Sequence, residues 1–218
     1  MADGNTHIYF GIGVLAALPE DLSQKLARDM DAVYLGLQGP DPLIFDPRTQ
    51  KEARDFHKHW EDGLPRLVHA MRYGQESMCS FAAGGFLHYA LDDIVHPPIW
   101  EWMKEGANHM RMELALDFMI LGEEGIRKMP RLFTQGRKRV APYAYLMLPQ
   151  AASNHYLTGL RHMQVTIDYL RQRGPEALGR LTLAEKEHVA DLRRRVDAGI
   201  QPTAQRLVEL LDWERSMA

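Results

Sequence analysis

An all-α fold follows from three observations. Apolar residues recur at intervals of three and four through most of the 218-residue chain, runs of alternating β-branched residues are missing, and glycine and proline gather at a few punctuation points. With 45% hydrophobic and 25% charged residues, the chain can fill a sizeable core, and its length fits one domain over residues 1–218.

An apolar segment from His7 to Leu18 stops at Pro19, and Pro19-Glu20-Asp21 opens a second helix reaching about Leu35, with proline and acids where a first turn favours them. Gly36-Leu37-Gln38-Gly39-Pro40-Asp41-Pro42 predicts a tight loop, because its glycines and prolines oppose a continued helix. Residues 48–73 resume helical spacing through Phe56, Trp60, Leu64, Leu67 and Met71. From Gln75 to Val95 the pattern predicts a buried helix on Phe81, Phe86, Leu87, Leu91 and Val95, closed by Pro97-Pro98. Further helices are expected over about 107–121, ending at Gly122, and then briefly to Lys128, followed by an irregular stretch over 129–135. Residues 143–172, 182–197 and 203–216 complete the set.

Several function classes are disfavoured. A net charge of −3 and a pI near 6.4 give no general pull toward nucleic acid, and Arg137 to Arg139 and Arg193 to Arg195 read as solvated faces. The single cysteine, Cys79, cannot form an internal disulfide. Residues Met1 to Phe10 lack the pattern of a secretory signal, and no apolar run is long enough to span a bilayer, so a cytoplasmic location is expected. Gly11-Ile12-Gly13 and Gly84-Gly85 follow no predicted strand and do not make a phosphate loop.

The chemistry lies in the ten histidines. His88, Asp92 and His96 are spaced four apart and form one slanting row on a helix face. Burying two imidazoles and a carboxylate is costly unless they are paired or bind a cation, and imidazole with carboxylate is a ligand mix that zinc accepts. His109 and Glu113 repeat the spacing on the next helix, so two helices joined at Pro97-Pro98 would face each other across five ligand-type groups. The competing account is a hydrogen-bonded core pair of His88 and Asp92, with His96 an ordinary residue before Pro97.

Gly85-Phe86-Leu87-His88-Tyr89-Ala90-Leu91-Asp92, His96-Pro97 and His109-Met110-Arg111-Met112-Glu113 resemble the bacterial zinc-dependent phospholipase C family. Thr6-His7-Ile8-Tyr9-Phe10-Gly11 is similar to its N-terminal histidine element, and the loop from Gly36 to Pro42 to its glycine-rich loop with a metal-binding aspartate. These matches run in order over residues 6–117. The resemblance implies one zinc held by Asp41, His57, His88 and Asp92, and a second held by His96, His109 and Glu113. A third ion in the family would use the N-terminal backbone, His7 and Asp92, so two or three ions are expected. His57 fits the family pattern through Arg54-Asp55-Phe56-His57, with His59 the alternative two residues away.

The implied activity is hydrolysis of a phospholipid or related phosphodiester by metal-activated water, with a small headgroup or phosphodiester as substrate. Asp41 would bind metal and position the water, although its place beside two prolines also suits a turn residue. Asp117 is a candidate to orient His109 or an adjacent ligand, or else an exposed helix carboxylate. Trp60, Tyr89, Trp100 and Trp102 are candidates for an aromatic headgroup wall or for core packing. His69, His155, His162 and His188 fall outside the motifs, with His155 and His162 possible supporting groups. Two other functions compete: a zinc-dependent nuclease, for which no basic groove with interleaved aromatics is visible, and a non-catalytic helical module stabilised by metal.

Overall fold

The computed structural model describes the backbone of residues 4–128 and 139–211. Helices follow one another as α1 (Gly4–Ala17), α2 (Glu20–Leu26), α3 (Met30–Gly36), α4 (Asp41–Ile44), α5 (Gln50–Lys58), α6 (Leu64–Tyr73), α7 (Glu76–Lys104), α8 (His109–Lys128), α9 (Ser153–Gly179) and α10 (Leu183–Leu211). Short 3-10 turns occupy Trp60–Gly63 and Ala141–Leu146. Among the described residues there is no strand, and the all-α expectation holds. No described helix is long and apolar enough to cross a membrane.

α7 is the axis of the molecule, with α1, α2, α3, α6, α8 and α10 packed against it. Its buried residues include Phe81, Phe86, Leu87, Leu91 and Val95, as the spacing predicts. It does not stop at the two prolines, however. Pro97 is exposed and Pro98 half-buried, and the carbonyls their missing amides would have bonded belong to exposed Asp93 and half-buried Ile94. Water can reach that side, while Val95, His96 and Ile99 keep the opposite side buried, so packing outweighs the local cost. The turn between α7 and α8 therefore falls later, at Gly106, whose φ of 97° suits glycine.

Other boundaries shift for similar reasons. The helix expected to reach Leu35 divides in two, because Asp29 accepts the Ala32 amide at 3.2 Å and starts α3 afresh. Within the expected loop, Pro40 stands at the N-cap of a short helix, α4, and Pro42 lies in its first turn, where proline sacrifices no hydrogen bond. The segment 48–73 breaks into α5, a 3-10 turn and α6. Residues 143–172 begin in the 3-10 turn before α9 starts at Ser153. The last two expected helices are one, since Pro202 is exposed while Val196, Thr203, Ala204 and Leu207 stay buried. The expected break at Gly122 is present, with φ 65° inside α8. The irregular stretch at 129–135 and the end of the segment 203–216 lie outside the described residues.

Two close approaches hold the site loop in place. A Cβ on Gly36 would lie 2.2 Å from the Phe81 carbonyl oxygen, and one on Gly84 would lie 2.3 Å from that of Val33, so α3 and α7 cross backbone to backbone. On the other side Gly159 of α9 approaches the Pro42 carbonyl so closely that its Cβ would fall 1.5 Å away. The Tyr156 hydroxyl donates to the Leu35 carbonyl at 2.8 Å, fixing the end of α3.

For Gly36→Ala, improved helix propensity is worth about 1 kcal/mol. A backbone oxygen at the clash point cannot move cheaply, and overpacking of this kind costs about 1–3 kcal/mol or more. A net loss of stability is expected in denaturant unfolding, and an unchanged midpoint would contradict the crossing.

Candidate metal centre

α7 supplies His88, Asp92 and His96, one per turn, and all three are buried. α1 adds His7, 1% exposed, and α8 adds His109 and Glu113. The side chains form two triads: His7 with His88 and Asp92, and His96 with His109 and Glu113. Within each, one ligand atom per residue lies within 4.8 Å of the others.

Asp92 belongs to both neighbourhoods. Its Oδ1 lies 3.2 Å from Nε2 of His7 and 3.7 Å from Nε2 of His96, while Oδ2 lies 3.1 Å from Nε2 of His88. In the second triad Oε1 of Glu113 stands 2.6 Å from His109 and 3.2 Å from His96. The rings of His7 and His88 stack at 4.3 Å between centroids, and those of His96 and His109 meet edge-on at 5.2 Å.

The loop after α3 sets the orientation of His88. Its Nδ1 lies 3.1 Å from the Leu37 carbonyl, which can only accept, so Nδ1 carries the proton. That leaves Nε2 as the ring nitrogen facing Asp92, the arrangement in which metal-binding histidines are held by a backbone carbonyl. Gly39 makes this approach possible: its φ is 53°, and a Cβ there would sit 2.1 Å from Cδ2 of His88.

Electrostatics favour the same reading. Burial, with His88 beside it, holds the His7 imidazole below its ordinary pKa and therefore neutral, the state that ligates metal. Burial also opposes protonation of His96, but the carboxylates of Asp92 and Glu113 outweigh it and raise the pKa. Burial of Glu113 opposes ionisation, yet nearby positive charge, followed by hydrogen bonds from His109 and His96, holds its carboxyl well below the usual range. Two buried carboxylates ringed by four imidazoles thus form a pair of anionic cups, and a divalent cation in each would offset a desolvation cost of several kcal/mol per ion. The donor set of nitrogen and oxygen fits zinc.

The sequence model of the family described as zinc-dependent phospholipase C matches residues 6–171. The chain belongs to that family. The match takes in much of α9, beyond the motifs that run over residues 6–117. No curated protein and no solved structure gives a significant match. Membership makes zinc the expected metal of these triads, and hydrolysis the reaction class of the family.

The remaining candidates separate. Asp41 is buried at the start of α4, and its charge acts on His7, but it stands outside the two triads. The side chain of His57 lies outside the described residues; His59 is exposed at the start of the 3-10 turn. Trp60 and Tyr89 are core residues, stacked at 5.0 Å with Tyr89 fully buried, so neither can contact a headgroup. Trp102 stacks on His188 at 4.1 Å, whereas Trp100 is 51% exposed and lies against His96. His155 and His162 engage backbone at Ala152 and Phe45, and His69 packs beside Tyr73. Asp117 is not an exposed carboxylate: it is fully buried and accepts the amide and hydroxyl of Thr6, next to His7. The sequence reading missed Thr6 and Gly39 as supports, though both stand inside the recognisable motifs.

Two outcomes are expected. Gly39→Ala should weaken zinc uptake by about 10–100-fold, the usual effect of disturbing a ligand's support, as read by calorimetric titration. Protons compete with zinc for the imidazoles, most effectively at His96 with its raised pKa. Zinc affinity should therefore fall between about pH 8 and about pH 6. A pH-independent affinity would exclude histidine ligation.

Proposed function

We propose that this chain is a zinc-dependent hydrolase of a phosphodiester bond, with a phospholipid or a related small phosphodiester as its substrate. The observation that carries the reading is Asp92, the carboxylate of one buried histidine triad, whose Oδ1 also lies 3.7 Å from His96 of the second triad, in a chain of this family. In this reading His7, which the resemblance implies for a third ion shared with Asp92, instead joins His88 and Asp92 in one metal centre together with Asp41 and His57, and His96, His109 and Glu113 hold another.

Zinc held by these residues would supply acidified water at neutral pH and offset the phosphoryl and leaving-group charge. The protein's part is to hold those centres at a fixed spacing. Asp41 orients the attacking water and accepts its proton, as suits a buried carboxylate on a loop clamped by Gly159. Water oxygen bonds to phosphorus, the bond from phosphorus to the leaving alkoxide breaks, and the departing oxygen takes up a proton from solvent, to which Asp41 returns the one it accepted. Trp100, exposed beside His96, offers its face to a cationic headgroup.

Assay against a chromogenic phosphocholine diester tests this reading. Activity should disappear with a chelator and return with zinc. His88→Ala and Asp92→Ala should each reduce turnover at least about a hundredfold. Full turnover in either variant would refute the assignment. Trp100→Ala is expected to raise KM for a choline substrate about 2–10-fold with kcat little changed, the scale of a partly exposed cation–π contact.

A further inference from the structure

The first triad depends on a residue near the end of a helix. His7 lies in the first turn of α1, where backbone amides have no partner within the helix and the chain is prone to fray. Yet its ring must stay stacked on His88 at 4.3 Å with Nε2 at 3.2 Å from Asp92. Something outside α1 must hold that turn.

Asp117 is placed to do so. It lies one turn beyond Glu113 on α8, so the two carboxylates share a face of that helix. Glu113 enters the second triad, while Oδ1 of Asp117 accepts the Thr6 amide at 2.8 Å and also the Thr6 hydroxyl. Asp117 is completely buried and Thr6 is 2% exposed, so these bonds are shielded from water. The contact joins residues 111 positions apart in sequence. Chemically it is an N-terminal cap delivered by a different helix: a carboxylate on an orphan amide in the first turn, aligned with the helix dipole.

We propose that Asp117 is a positioning residue for the first metal centre, acting through Thr6 to fix His7, so that α8 sets both its own triad and the geometry of the neighbouring one. This rests on the metal-centre reading given above. It assigns Asp117 no contact with metal or substrate. The consequence is directional: loss of the Asp117 contact should weaken the centre that contains His7 and spare the one that contains Glu113.

Zinc titration of the full-length metal-free chain by calorimetry, with metal analysis and the melting temperature of the metal-free protein, tests this. Asp117→Asn is expected to weaken the binding step that His7→Ala abolishes by about 10–100-fold. The step that survives in His7→Ala should stay within about twofold of wild type. Adding Asp117→Asn to His7→Ala should then cause no further loss, because the carboxylate would have no ligand left to position. Thr6→Val removes the hydroxyl donor without changing shape and should give a smaller loss of the same step, restored by Thr6→Ser. Equal weakening of both steps, additive losses in the double variant, or unchanged affinity in either single variant would overturn the proposal. Should Asp117→Asn not fold, the Thr6 pair decides alone. A wild-type chain that binds no zinc would overturn this inference together with the proposed function. Zinc binding without hydrolysis would overturn the proposed function only.

Discussion

The carboxylate of Asp92, held near the middle of the buried helix α7, is the group around which the rest of the structure is organised. A carboxylate in such a place is stable only if positive charge or strong donors surround it. Imidazoles arrive from α1 and from one turn on either side in α7 itself, while α8 brings a second carboxylate with its own histidine. The packing of these helices and the chemistry of the site are therefore one problem with one solution.

That solution needs precise backbone placement, and small residues provide it. α3 can lie against α7 because Gly36 and Gly84 present no side chains at the crossing. The same crossing delivers the Leu37 carbonyl to His88 and sets Gly39 over the imidazole ring. α9 closes the other side of the loop through Gly159 at Pro42, next to Asp41. Ligand geometry is thus transmitted from bulk packing to a few ring nitrogens by short chains of contact, the support that metal ligands require.

Polar and apolar roles are divided along single helices. In α7, Phe86, Leu87, Leu91 and Val95 drive burial, while His88, Asp92 and His96 occupy a stripe that would be unfavourable were it not facing the imidazoles and carboxylate of α1 and α8. In α8, Glu113 and Asp117 stand one turn apart yet serve different ends, one in a triad and one at the start of α1. Aromatic residues divide likewise: Trp60 and Tyr89 fill the core, and Trp100 remains at the surface beside His96.

The all-α class, the central buried helix and the grouping of His88, Asp92, His96, His109 and Glu113 were legible in the sequence, because helical periodicity places residues four apart on one face whatever else the chain does. Local rules misjudged Pro97, Pro98 and Pro202, since a proline's cost depends on whether the carbonyl it strands faces water, which is a property of the packed molecule. Asp117 read as a support for His109 or an adjacent ligand, or else as a surface carboxylate, because nothing in a sequence window connects it to Thr6. Joining α1 to α8, and setting Gly39 against His88, are long-range events decided by how helices pack. Sequence alone determined which groups were available for the site, and tertiary structure decided which of them meet.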